Sequence, residues 1–220
     1  MLRSETVEFL KKLEKNNNRE WFTANRKWFD DANDNVIALT NDVIGRIAKF
    51  DAAVAGIDPK TCVFRIYRDV RFSKDKSPYK TNFGAFIAPG GRKAMSPGYY
   101  FHIQPEMFFA AAGKHLPDAH ELLKIRNAIA TDPEGFRKIV EAKKFGDRFG
   151  GFDADRLSRS PKGFSADHEA LEYLKLKSFT VTEKFFETAV LSAEFPKLVT
   201  ESFKAAYPFI VFLREALKSG

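Results

Sequence analysis

Residues 64–80 read FRIYRDVRFSKDKSPYK and combine cations with aromatic side chains. Arg65, Arg68, Arg71 and Lys74 recur at every third position of this run. Planar guanidinium groups can bind a phosphate or carboxylate through two parallel hydrogen bonds, lysines add point charges, and aromatic faces can stack on a ligand. These residue types therefore predict a site for an anionic ligand.

The positive charge of the chain is concentrated around the same run. The net charge of the 220 residues is +7, and residues 64–93 contain eight Lys or Arg against two Asp, a balance of +6. The remaining 28 Lys or Arg and 27 Asp or Glu leave +1 for the rest of the chain. This segregation predicts a basic patch, because folded surfaces usually intersperse both signs. An exposed lysine-rich loop is the alternative.

The candidate site residues fall into two groups. The predicted ligand-binding residues are Arg65, Arg68, Arg71, Lys76, Lys80, Tyr67, Tyr100 and Lys162. Asp69 lies between two of the arginines and could hold a guanidinium in one rotamer, or act as a general base. His102 and Tyr79 are the other two catalytic candidates.

Three hypotheses account for these cations. The first is a site for a phosphate-bearing ligand, either an anionic small molecule or the phosphates of a nucleic acid. The second is a metal-independent enzyme that acts on a phosphorylated or carboxylated substrate. The third is a structural Arg–Asp network with no ligand.

Neither a cofactor nor a metal is predicted. The sequence contains no P-loop, dinucleotide-binding fingerprint, nucleophile elbow or paired-cysteine motif. His115 and His120 are five residues apart, whereas two metal ligands on one helix prefer a spacing of four.

The cationic run also resembles a known family. Residues 65–79 fit the pattern RxxRDxRFxxDKxPY, which is typical of the bacterial and fungal domain-of-unknown-function family 2461. The resemblance extends to NNNREWF at 16–22, PKGF at 161–164 and DHEALEYLKLKSF at 167–179, and so covers nearly the whole chain. It implies no activity, but it implies that these polar residues belong to a shared pattern, which weighs against an incidental loop.

The periodicity of apolar residues predicts an α+β fold that positions the run. Helical spacing is predicted for residues 4–50, strands for 61–112 and helices again for 118–218, all in a single domain over 1–220. The predicted strands are TCVFRIY, NFGAFIA, GYYFHIQ and MFFAAA. They should form a central antiparallel sheet that is packed by the N-terminal and C-terminal helices.

Alternation along the predicted strands gives the sheet one face that is polar and aromatic. Successive side chains of a strand point to opposite faces, so Tyr100, His102 and Gln104 share one face, and Arg65 and Tyr67 share a face of another strand. If those strands are neighbours, Arg65, Tyr67, Tyr100 and His102 line one cleft.

The amino terminus and the overall hydropathy predict a soluble, cytoplasmic protein without a membrane partner. The first helix has charges in every turn, and no run approaches the roughly 20 apolar residues of a membrane span. Cys62 is the single cysteine, which excludes an internal disulfide, and its apolar neighbours predict burial. The sequence carries no signal for an oligomeric state.

Overall fold

The computed structural model describes residues 1–152 and 154–218. The helices of this part are α1 Ser4–Lys15, α2 Arg19–Ala24, α3 Arg26–Ile47, α4 Pro59–Cys62, α5 Ala119–Thr131, α6 Pro133–Val140, α7 Lys143–Phe149, α8 Leu171–Leu174, α9 Glu187–Val190 and α10 Phe195–Lys218. The strands are β1 Phe83–Ile87, β2 Gly98–Gln104, β3 Met107–Lys114 and β4 Phe179–Phe185. Short 3-10 helices occupy Ala52–Val54 and Gly91–Lys93.

The four strands form one antiparallel sheet in the order β1-β2-β3-β4. Helices precede this sheet in sequence and follow it, which confirms the predicted α+β class. On β2, Tyr99, Phe101 and Ile103 are fully buried, whereas Tyr100 and Gln104 are half-buried. The predicted alternation of this strand is therefore correct.

The chain divides into two compact units. The first contains Met1–Ala94, Tyr100–Ala110 and Lys184–Glu201, and the second contains Met95–Tyr99 with the described residues of 111–183 and 202–220. The assignment of the whole chain to a single domain stays a prediction.

Aromatic packing dominates the core of the first unit. The buried Phe9 ring of α1 lies 5.7 Å from the Trp28 ring, 6.0 Å from that of Phe29 and 6.3 Å from that of Phe83. Helix α1 reaches this core because its apolar residues recur with helical spacing on one face, while its charged residues remain exposed or half-buried. Offset and tilted ring pairs of this kind stabilise a core beyond the area that they bury.

A separate aromatic cluster forms the core of the second unit. The buried Phe136 ring of α6 lies 5.0 Å from that of Phe212 and 6.3 Å from that of Phe209, both on α10. Phe136 also meets the Tyr173 ring at 5.1 Å. The high phenylalanine content of the chain thus fills two cores.

The predicted first strand, TCVFRIY at residues 61–67, is wrong. Residues 59–62 form α4 instead, because Asp58 caps the helix through the Lys60 N–H and Pro59 occupies its first turn. Beyond the helix, Val63 and Tyr67 make isolated bridges and no regular strand. Asp58 and Pro59 thus favour a helix at the beginning of this segment in spite of its alternating pattern.

The prediction that the region 118–218 contains helices and no strand is also wrong, because residues 179–185 form β4. Phe179 and Val181 are fully buried, whereas the β-branched Thr180 and Thr182, which follow them in turn, are half-buried. This is the two-residue period of a strand with one buried face. The sheet therefore extends beyond the predicted range of 61–112.

Gly113→Ala should lower the free energy of unfolding by about 3 kcal/mol or more. Gly113 has φ +132°, and a Cβ at this position would lie 1.9 Å from the Phe179 carbonyl oxygen. Gly146→Ala in α7 is the matched control, because its Cβ would meet nothing within 4 Å and should stabilise the helix by about 0.5 to 1 kcal/mol. Urea denaturation measures both variants, and equal stability of the two would contradict the β3–β4 packing.

Candidate functional site

Residues 63–85 fold back on themselves in the first unit, and we call this segment the signature hairpin. Its outer limb, 63–68, faces its inner limb, 78–85, and the loop 69–77 joins the two. The limbs are held by the bonds Phe64 N–H to Gly84 O (2.9 Å), Lys80 N–H to Ile66 O (2.7 Å) and Arg68 N–H to Pro78 O (3.0 Å), with bridges Val63–Ala85 and Tyr67–Tyr79. The signature motif is therefore an irregular hairpin that leads into β1.

Helix α2 and the residues before it fix the inner limb. The Asn17 amide binds Tyr79 as a neighbouring strand would: Nδ2 donates to the Tyr79 carbonyl (2.9 Å), and Oδ1 accepts from the Tyr79 N–H (3.1 Å). The Tyr79 ring is 5% exposed and stacks on Phe22 at 3.9 Å. Asn18 caps α2 by accepting from the Trp21 N–H (2.8 Å). The NNNREWF segment thus holds the hairpin in place.

The loop residue Asp75 forms an ion pair with Arg68 of the outer limb. The Arg68 guanidinium donates to the Asp75 carboxylate and, at 3.4 Å, to the Ser73 hydroxyl. Asp75 also accepts from the Ser77 hydroxyl (2.5 Å) and the Ser77 N–H (2.9 Å). These Ser77 bonds, followed by the one from Arg68, hold the pKa of Asp75 far below its usual value. Arg68 is therefore engaged within the protein.

Asp69 holds Arg71 in a two-point ion pair. Arg71 Nε lies 2.9 Å from one carboxylate oxygen and Nη2 lies 2.7 Å from the other. The Arg71 hydrogen bonds lower the pKa of Asp69, with a smaller contribution from the charge of Arg65, and this weakens Asp69 as a general base. The Lys76 ammonium donates to the Val70 carbonyl at 3.0 Å.

Three further cations, Arg65, Lys80 and Arg92, belong to the base of the hairpin and the 3-10 helix after β1, where the charges of both arginines act on Lys80, and we call them the basal cations. Lys80 is half-buried, and its ammonium lies 5.5 Å from the Phe64 ring centre. Burial lowers the pKa of Lys80, and the charges of Arg65 and Arg92 lower it further. Within 1–152 and 154–218, none of the three forms an ion pair with Asp or Glu.

Arg92 is held at the base by main-chain carbonyls. Its Nη1 donates to Thr61 O at 2.9 Å and to Lys60 O at 3.3 Å. Gly91 precedes it with φ +75°, where a Cβ would lie 2.8 Å from the Thr61 hydroxyl oxygen. The close approach therefore requires glycine at position 91.

Beside the Phe64 ring lies a chain of polar side chains on β2. The Tyr100 ring meets Phe64 at 6.2 Å, its hydroxyl lies 2.8 Å from His102 Nδ1, and His102 Nε2 lies 3.1 Å from Gln104 Oε1. Because an amide oxygen only accepts, Nε2 carries the proton and Nδ1 accepts from Tyr100. Phe109 stacks on the imidazole at 4.7 Å.

Burial favours the neutral form of both Tyr100 and His102. It raises the pKa of Tyr100 to about 12 and lowers that of His102, which the hydrogen bond with Gln104 raises in part. His102 is 8% exposed and hydrogen-bonded at both ring nitrogens. Gly84 faces the phenol, since a Cβ there would lie 2.4 Å from the Tyr100 oxygen.

The predicted site residues thus lie in several places. Tyr100 and His102 are in contact, and Arg65 lies with Lys80, whose ring partner Phe64 touches Tyr100. Tyr67 instead packs against Phe22 (6.0 Å) and Tyr79 (5.4 Å). The catalytic candidate Tyr79 lies in the core, where burial raises its pKa. Lys162 is exposed and belongs to the second unit.

The sequence analysis did not single out Arg92, Phe64 or Asn17 as site residues. Arg92 lies within the cation-rich range 64–93, so the charge segregation was the signal that could have identified it. Asn17 lies in the NNNREWF segment, but no local pattern indicates that its amide reaches Tyr79, 62 residues away.

A family model described as conserved hypothetical protein, domain of unknown function 2461, matches residues 5–212. The comparisons with curated proteins and with solved structures gave no match. In the described part of the chain, no group of three or more His, Cys, Asp or Glu could hold a metal ion. Nor is any helix of that part long and apolar enough to cross a membrane.

Asn17→Ala should destabilise the protein by roughly 1 to 3 kcal/mol, because the Tyr79 N–H and C=O lose their partners. Amide hydrogen exchange should also show faster exchange at Tyr79. Asn41→Ala is the control, since Asn41 is exposed on α3 and its replacement should change stability by less than about 0.5 kcal/mol. Unchanged stability and exchange in Asn17→Ala would rule out the clamp.

His102 should make the protein less stable in acid. Because its pKa is lowered on folding, the unfolded chain binds the proton more readily, and stability is lost as pH falls below about 6.5. One such group contributes a slope of at most about 1.4 kcal/mol per pH unit. Denaturation at pH 5 and pH 7 should show a smaller loss in His102→Gln than in the wild type. His115→Gln, at an exposed histidine, should retain the wild-type loss, and equal losses in all three proteins would contradict the prediction.

Proposed function

Because the chain belongs to the conserved hypothetical protein family, domain of unknown function 2461, we propose its function from its own side chains: it binds a phosphate-bearing ligand at the basal cations. One observation carries the proposal. The charges of Arg65 and Arg92 both act on the half-buried Lys80, whose ammonium lies over the Phe64 ring, and within the described residues none of the three forms an ion pair with Asp or Glu. A phosphate would supply the missing negative charge.

The electrostatics of the cluster support an anion. Bringing like charges together in a partly buried position costs free energy, and the lowered pKa of Lys80 reflects burial first and then repulsion by the two arginines. A bound anion reverses the sign of that interaction, because the same cations then attract it. The guanidinium of Arg65 offers two parallel donors and the ammonium of Lys80 a point charge, which together suit a phosphate.

The two arginines that pair with loop aspartates fit the structural hypothesis better. Arg68 is bonded to Asp75 and Arg71 to Asp69, so each has an internal counter-charge. The ligand hypothesis and the structural hypothesis therefore apply to different cations of the same hairpin. The enzyme hypothesis has less support, since Asp69 is paired, Tyr79 is buried and both nitrogens of His102 are hydrogen-bonded.

Pyrophosphate should raise the melting temperature of the wild-type protein at constant ionic strength. At a hundredfold excess over Kd the folded state gains about 2.7 kcal/mol. For a chain of this size that gain corresponds to a shift of roughly 5 to 10 °C. Lys80→Gln and Arg65→Gln should fold, and Lys80→Gln should gain stability without ligand, because a desolvated charge is removed.

Lys80→Gln and Arg65→Gln should both lose the rise in melting temperature that pyrophosphate causes. Lys93→Gln is the matched control, because it removes one positive charge from an exposed side chain of the neighbouring 3-10 helix. Arg68→Gln should also retain the response, since Asp75 holds its guanidinium. An equal loss of stabilisation in Lys93→Gln would show that the response depends only on net charge, which would contradict a specific site. The proposal is also rejected if pyrophosphate does not stabilise the wild type.

A further inference from the structure

The outer limb and loop of the signature hairpin expose two aromatic rings, of which Tyr67 also packs against Phe22 and Tyr79. Phe72 at the loop is 96% exposed, and Tyr67 on the outer limb is 45% exposed. The Arg71 guanidinium lies 5.8 Å from the Phe72 ring centre. An almost fully exposed phenylalanine gains no hydrophobic stabilisation from folding, so its ring is available to a partner.

Cations alternate with these rings along the chain. Phe64, Tyr67 and Phe72 are interleaved with three arginines, and residues 63–80 carry six Lys or Arg against two Asp. Both aspartates bind arginines within the loop, and Lys74 and Lys76 remain exposed. The segment therefore presents ring faces and positive charge together.

We propose that residues 63–80 bind a single-stranded nucleic acid. This inference rests on the proposed function, because the basal cations would bind one phosphate of the strand. Unpaired bases would stack on Phe72 and Tyr67, and the flanking lysines would attract further phosphates. Stacking of successive bases on aromatic side chains beside a basic surface is the usual means of binding single strands without sequence preference.

Two other anionic surfaces fit these observations less well. A duplex presents phosphates but hides its base faces, and so leaves the exposed rings without a partner. A lipid surface favours a broad apolar face, whereas Phe72 is flanked by Arg71, Ser73 and Lys74.

The test uses the full chain and a fluorescent oligothymidylate of about 12 nucleotides, followed by anisotropy. Phe72→Ala should weaken binding by about tenfold or more, because one base loses its stacking partner. Phe186→Ala is the matched control, since Phe186 is 85% exposed in the first unit but lies outside the hairpin. Lys80→Gln should weaken binding as well. For three to five neutralised phosphates, the slope of log affinity against log salt should be about −2 to −3.5.

Pyrophosphate separates this inference from the proposed function. Phe72→Ala should keep its full stabilisation by pyrophosphate, because the ring is not part of the basal cations. If pyrophosphate stabilises the wild type in a Lys80-dependent manner while the oligonucleotide does not bind, the proposed function stands and the inference fails. Oligonucleotide binding unaffected by Phe72→Ala, tighter binding of a duplex, or Phe72-dependent binding to phosphatidylserine vesicles alone would also overturn it.

Discussion

The position of the signature hairpin depends on the burial of Tyr79. Its ring stacks on Phe22, and the Asn17 amide satisfies both of its main-chain hydrogen-bonding groups. Since successive side chains of an extended segment point to opposite sides, the buried tyrosine leaves Lys80 facing away from this contact, toward the Phe64 ring. An apolar contact thus orients the central cation of the candidate site.

The aspartates divide the cations of the hairpin into two classes. Asp69 and Asp75 neutralise Arg71 and Arg68 over short distances along the chain, where exposed ion pairs add little to global stability but restrict the loop conformation. With both carboxylates engaged there, the basal cations form no ion pair with Asp or Glu within the described chain. The same motif therefore combines a loop with internal ion pairs and the cations at which we propose that an anion binds.

The sequence predicts the parts of the fold whose periodicity is strong and local. Helices α1 and α3 and strand β2 follow from the spacing of their buried residues, whereas β3 follows from its short run of apolar residues. Residues 61–67 alternate in the same way as β2, yet they form no regular strand. The helix that starts at Asp58–Pro59 includes residues 61 and 62, and the residues after it pair irregularly in the hairpin. Strand β4 was missed because FTVTEKF is followed directly by residues with helical spacing, and its pairing partner β3 is more than 60 residues away. Long-range pairing of this kind has no local signature.

For the candidate site, the sequence predicts the types of residue but not their partners. Alternation was sufficient to place Tyr100 and His102 on one face of β2, where they are hydrogen-bonded. It could not show which arginines have counter-charges, since that depends on how the loop folds to bring Asp75 to Arg68, seven residues away. A cation that is paired within the protein is already stabilised by its internal counter-charge, whereas an unpaired cation gains more free energy from an external anion. The absence of an ion pair at Lys80, within the residues that the structure describes, is therefore a stronger argument for the proposed ligand site than the number of cations in the motif.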